Sequence, residues 1–156
     1  MADASGGEMT RLRDFISTER IVPIGDTSHR HILETLVATA VDGRDQSVRD
    51  NAVTAILADR TSKELNLGNG FAVSHTRLDT LDQIRVSVGL LAQPVRHYAG
   101  DPVHTVFCIL IPNAQYRPYL TFLARLTRLI STDDAGDVFS SADVDRIARM
   151  IADFDA

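Results

Sequence analysis

Residues 103–111 read VHTVFCILI, a stretch in which only His104 and Thr105 are polar. A run this apolar, rich in β-branched side chains and lacking amphipathic alternation, is the pattern of a strand covered on both faces. Helices must therefore lie on both sides of it. Ile84–Leu91 has a similar texture and predicts a second strand. Upstream, LNLGNG at 65–70 cannot continue a helix, because its two glycines favour backbone conformations outside it, so Phe71–Ser74 reads as a short extended segment. Ile21, Val22 and Ile24 form a brief strand that Pro23 confines to an edge or an end.

The flanking segments carry helical spacing. Leu12, Phe15 and Ile16 predict a short helix over 10–18, and Asp26, Thr27 and Ser28 offer a cap for the stripe Ile32, Leu33, Leu36, Val37 and Ala40, ending near Gly43. Ser47 opens a helix running to Arg60. Leu120, Leu123, Ala124, Leu126, Thr127 and Ile130 mark an amphipathic helix over 115–130, and Ser141 caps a last one through Val144, Ile147, Met150 and Ile151. The order implies a single α/β domain over 10–156, with a mixed sheet of four to five strands and helices on both faces. Residues 1–9, which have almost nothing to bury, read as a disordered leader.

Composition narrows the function. With 156 residues, 44% hydrophobic and 24% charged, one core is expected. The 6% aromatic content, the absence of Trp and a net charge of −5 argue against nucleic acid. No apolar run approaches the roughly 20 residues of a membrane span. The single cysteine, Cys108, excludes an internal disulfide and a cysteine zinc cluster, and residues 1–10 lack an export-type apolar core, so the expected setting is the cytoplasm.

The chemistry concentrates in GNGFAVSHTR, residues 68–77, where a Gly-rich turn and a short strand deliver His75 to a strand end. Strand ends are where α/β proteins place their sites. A neutral imidazole keeps a lone pair near pH 7 and can attack an electrophilic phosphorus. The phosphoryl group then needs donors facing its oxygens, which Arg60, Arg77 and the backbone N–H groups of the turn Gly68–Asn69–Gly70 are expected to supply. Other candidates have simpler readings. His29 and His31 sit in the first turn of a helix on different faces, which suits solvated residues and not a metal pair. His97 reads as packing at a sheet edge, His104, at the start of the central strand, as a candidate neighbour of His75, and Cys108 as a small buried hydrophobe. Asp133, Asp134 and Asp137 read as a solvated loop.

The segment resembles the mannitol/fructose-type IIA domains of the bacterial phosphoenolpyruvate-dependent phosphotransferase system. Their signature is Arg-Glu, a loop, Gly-x-Gly-x-Ala-[Ile/Val]-Pro-His. Arg60 matches the leading Arg, Gly68, Asn69 and Gly70 the turn, Ala72 and Val73 the strand, and His75 the phosphorylated histidine. The likeness continues through Asp101–Pro112 and YLTFLARLTRLI from Tyr119, and covers about residues 10–154. It implies a phosphoryl carrier that takes phosphate from an HPr-like protein onto His75 without metal or organic cofactor. A IIB subunit, or a regulated transporter or kinase, is the implied recipient, with the free-standing nitrogen-regulatory branch favoured. Three positions depart from the pattern. Ser74 replaces the Pro before the active histidine and is expected to put a hydroxyl next to the imidazole as support for the phosphoryl group, Thr61 replaces the Glu, and Tyr119 stands where the family carries a second His. A phenol donates a hydrogen bond but cannot carry an imidazolium's charge. The same departures fit a non-catalytic interaction module on this fold, and a sugar-specific IIA subunit is a third reading.

Overall fold

A computed structural model describes residues 11–42 and 46–155; the expected leader and the helix end at Gly43 lie outside them. Five strands, β1 (Ile21–Ile24), β2 (Glu64–Gly68), β3 (Phe71–Arg77), β4 (Arg85–Val95) and β5 (Val103–Ile111), form one sheet in the order β1-β4-β5-β3-β2. The sheet is mixed. β5 runs parallel to β3 and antiparallel to β4, β1 parallel to β4, and β2 antiparallel to β3. The helices are α1 (Leu12–Phe15), α2 (His29–Val41), α3 (Gln46–Ala58), α4 (Arg60–Lys63), α5 (Tyr116–Ile130), α6 (Ala135–Ser140) and α7 (Val144–Asp155).

The central position of β5 follows from its sequence, since a strand without a polar face can be accommodated only where both faces are covered. Phe107, Ile109 and Ile111 enter a core shared with α1, α5, α6 and α7. Val106, Cys108 and Leu110 enter the opposite core with α2 and α3. Pro23 lies in edge strand β1, where the missing N–H costs no ladder bond on the open side. Ser28 caps α2 by accepting from the His31 N–H. Among the described residues no helix is long and apolar enough to cross a membrane.

Several boundaries differ from expectation. Of the segment 65–70, which reads as non-helical with a turn at 68–70, residues 65–68 belong to strand β2, because Asn69 and Gly70 both take positive φ (58° and 92°) and close a tight hairpin between β2 and β3. Asn-Gly is a strong signal for that turn. Asp59 leaves the helical region, so α3 stops at Ala58 and Arg60 begins a separate single turn. The acidic loop contains α6, anchored by the buried side chains Ala135, Val138 and Phe139. Asp143 caps α7, its carboxylate accepting from the Arg146 N–H at 3.2 Å, in place of Ser141. The helix α5 is rotated relative to the expected stripe. Tyr119, Phe122, Leu126 and Leu129 face inward, whereas Leu120 is exposed.

The hairpin turn generates a test. A Cβ on Gly70 would lie 2.3 Å from the His104 ring, at a φ of 92° that side-chain-bearing residues avoid. Gly70→Ala is expected to lose about 1–3 kcal/mol from backbone strain alone, with the steric clash adding to it. Urea denaturation of the two proteins measures the difference.

Candidate functional site

Side chains alternate across a strand, so β3 presents two chemistries on its two faces. Phe71 and Val73 enter the core beneath α5, and His75 and Arg77 continue that face toward the end of the strand. Ala72 faces the α2–α3 side, together with Ser74. Because β3 and β5 run parallel, with His75 opposite Ile109, their carboxyl ends share one edge. The chain leaves β5 through Pro112 and a 3-10 turn, Asn113–Gln115, and enters α5 at that same edge. The first turn of α5 is thereby delivered to His75.

The rings of His75 and Tyr119 lie 5.5 Å apart at 37°. Tyr116 follows at 5.7 Å from Tyr119, and the Arg77 guanidinium sits 4.6 Å above the Tyr116 ring. His75 is half-buried, accessible from solvent yet backed by the core. Burial, and secondarily the charge of Lys63, hold its ring below the usual histidine range, against the effect of a backbone hydrogen bond at Ser62 that favours the protonated form. Burial outweighs that bond, so the ring is neutral at pH 7 and retains a nucleophilic lone pair. Burial and the neighbouring Tyr116 raise the Tyr119 phenol, which therefore remains a protonated donor. His75, Tyr119, Arg77 and Lys63 thus place a nucleophile, a neutral donor and two cations at one strand end.

The opposite face is organised around a carboxylate. Glu64 is 4% exposed and accepts from Arg60 Nε at 2.7 Å and from Ser74 Oγ at 3.0 Å, while His29 Nε2 lies 2.9 Å away. Ser74 Oγ also pairs with the Tyr98 hydroxyl at 2.8 Å. Burial alone would raise the Glu64 carboxyl, but hydrogen bonds from His29 and Arg60 prevail and hold it below the usual range. Arg60 additionally donates to the His97 carbonyl, at a polar cleft of about 370 Å³ lined by Arg60, Thr61, Glu64, Asn66, His97 and Tyr98.

The expected constellation is therefore brought together only in part. His75, Tyr119 and Arg77 share one face. The Arg60 contacts described above belong to the other face, where Glu64 neutralises it. Ser74, expected beside the imidazole, is completely buried with its hydroxyl on the opposite side of the strand. The turn Gly68–Asn69–Gly70 stands at the amino end of β3, five residues from His75 or about 17 Å along the strand. Its N–H groups cannot face a group on His75. His104 is at the same remote end, packed edge-on against Phe71 with ring centroids 5.1 Å apart at 70°. His29, expected to be solvated, is 12% exposed beside Glu64. Cys108 is buried with its thiol pushed up to about 12, as suits an inert core residue. Lys63 was missed by sequence reasoning, although it is the single lysine in a chain with 15 arginines. Among the described residues no group of three or more His, Cys, Asp or Glu side chains could hold a metal ion.

Comparison with solved structures defines the class first. Nitrogen regulatory protein IIA-Ntr from Neisseria meningitidis superposes with a TM-score of 0.77, covering 90% of this chain and 98% of that one at 16% identity. The complex of IIA mannitol with phosphorylated IIB mannitol from Escherichia coli matches with a TM-score of 0.70, covering 88% of this chain and 97% of that one at 17% identity. The molecule thus has the α/β fold of IIA proteins. At the level of sequence, residues 15–153 match the model of the phosphoenolpyruvate-dependent sugar phosphotransferase system EIIA 2 family, and the chain belongs to that family. A nitrogen regulatory protein from Bradyrhizobium diazoefficiens is 30% identical over 146 residues, 90% of this chain and 94% of that protein.

The depressed ring basicity of His75 gives a signed expectation. Removing Lys63 removes a repulsive charge, so the NMR titration midpoint of His75 should move upward in Lys63→Ala. An unchanged or lower midpoint would rule out Lys63 as a repulsive charge on the ring. In the parent protein the lowered pKa also couples to folding. The neutral ring contributes stability above the unfolded value near 6.5, and this contribution is lost as pH falls through the folded pKa.

Proposed function

We propose that the protein accepts a phosphoryl group from a phosphorylated HPr-like carrier onto His75, and either passes it on or retains it as a regulatory mark. The observation that carries this reading is the neutral, half-buried His75 ring with Tyr119 against it at a strand end. The ring lone pair forms the new P–N bond as the carrier's P–N bond breaks, the leaving electron pair returning to the carrier's imidazole. Lys63 and Arg77 offset charge on the phosphoryl oxygens, and the Tyr119 hydroxyl supplies a neutral donor. This chemistry uses the protein's own side chains and needs no metal or organic cofactor. Regulation is favoured over sugar transport by the extent of the similarity to the nitrogen regulatory relative, with a regulated transporter or kinase as target. The IIA–IIB mannitol complex makes a separate IIB protein the alternative recipient.

One observation favours a second reading, an interaction module without transfer. By the resemblance to the family, Tyr119 stands where a second histidine is expected, and a phenol cannot supply that histidine's positive charge. Incubation with phosphoenolpyruvate, the general phosphotransfer enzyme and its HPr-like carrier separates the two readings, because only a carrier gains an acid-labile phosphoryl group detectable by mass spectrometry. His75→Ala should abolish that gain with the fold intact. Undiminished uptake by this variant would remove the central claim.

Position 119 provides a graded test. Tyr119→Phe should weaken phosphorylation by about 1 kcal/mol, the usual net worth of one neutral hydrogen bond. Tyr119→His should accept phosphate faster than the parent, most clearly below about pH 6.5 where the added imidazole is charged. Equal initial rates for all three proteins would show that the side chain at 119 does not act on the phosphoryl group.

A further inference from the structure

Glu64 touches neither face of the His75 ring, yet it binds both segments that hold the ring in place. Its carboxylate accepts from Arg60 at the start of α4 and from Ser74, the residue immediately before His75. The Glu64 backbone N–H donates to the Arg60 carbonyl and closes the single turn of α4, while Glu64 pairs with Ser74 across the β2–β3 ladder. Between these anchors lie Ser62 and Lys63, and the α4 turn that carries them packs against β3, where the Ser62 backbone and the Lys63 charge both act on the His75 ring. A four-residue helix has too few internal bonds to hold its own geometry, so its position depends on such external contacts.

We propose that Glu64 is a positioning residue for His75, clamping the α4 turn onto β3 from behind the strand so that the imidazole is held in one orientation and one tautomer. A Ser62 backbone that favours the protonated ring acts as an acceptor toward one ring N–H. That leaves the other nitrogen with the lone pair. The network also gives Ser74 a physical role. A proline before the histidine would stiffen the strand end through its ring, whereas Ser74 ties it down through hydrogen bonds to Glu64 and Tyr98. The role of Glu64 in transfer rests on the carrier reading of His75; its effect on the ring does not.

Two measurements on Glu64→Ala and Glu64→Gln separate these levels. At about pH 8, where the ring is neutral, the ¹⁵N shifts of the His75 ring nitrogens report the tautomer. The parent should show one dominant tautomer. Glu64→Ala should show a mixture, and the isosteric Glu64→Gln, which loses the charge but keeps one acceptor oxygen, an intermediate value. The phosphoryl-acceptance rate should fall in the same order, on the order of tenfold or more for Glu64→Ala. Circular dichroism monitors the fold, and if Glu64→Ala unfolds, Glu64→Gln alone decides. A folded variant with the parent's tautomer distribution overturns the proposal, whether or not its rate changes. If the parent itself takes up no phosphate, the carrier reading fails while the nitrogen shifts still decide whether Glu64 positions the ring.

Discussion

Strand β5 has no face that can meet water, and most of the architecture answers to that constraint. Its side chains from Thr105 to Ile111 are buried, with alternate residues entering two separate cores. Covering one face requires α2 and α3; covering the other requires α1, α5, α6 and α7. Neighbouring strands must then saturate the backbone of β5 on both edges, which β4 and β3 do. The parallel pairing with β3 has the chemical consequence. It brings the carboxyl ends of two strands to one edge, and the chain leaving β5 there places Tyr119 against His75, two residues before the end of β3, with Tyr116 beside Tyr119.

The strand β3 also acts as a partition. Its α5 face carries His75 with Lys63 and Arg77 nearby, whereas its α2 face carries the buried Glu64 with Arg60, Ser74, Tyr98 and His29. A carboxylate beside the imidazole would raise its pKa and repel an incoming phosphoryl group. Held behind the strand and saturated with donors, Glu64 instead serves the turn that bears Ser62 and Lys63. Pleating separates the two environments within adjacent residues, since Ser74 and His75 point to opposite sides.

Much of the fold was legible because its signals were long. The apolar run 103–111 and the stripe of Ile32, Leu33, Leu36 and Val37 each repeat their pattern over several residues. Short elements were harder. β2 alternates poorly and reads as a loop, although Asn69-Gly70 marks its hairpin. α6 carries only six residues among acidic neighbours, with its buried Val138 and Phe139 obscured by composition. The face of α5 was ambiguous because leucines occupy two stripes, and only packing selects the one containing Tyr119, Phe122, Leu126 and Leu129.

The site divides along the same line. Sequence alone determined that a histidine stands near the end of a buried sheet's strand, that Cys108 is a core residue, and that an Asn-Gly turn precedes the strand. These properties depend on local pattern and on hydrophobicity. Only the tertiary structure decided that the turn lies about 17 Å from His75, that Ser74 faces away from it, and that Arg60 is bound to Glu64. Which side chains meet His75 depends on which strands pair, in which direction, and where α5 re-enters. Those choices are made by long-range burial, through contacts between residues far apart in the chain, and no local spacing encodes them.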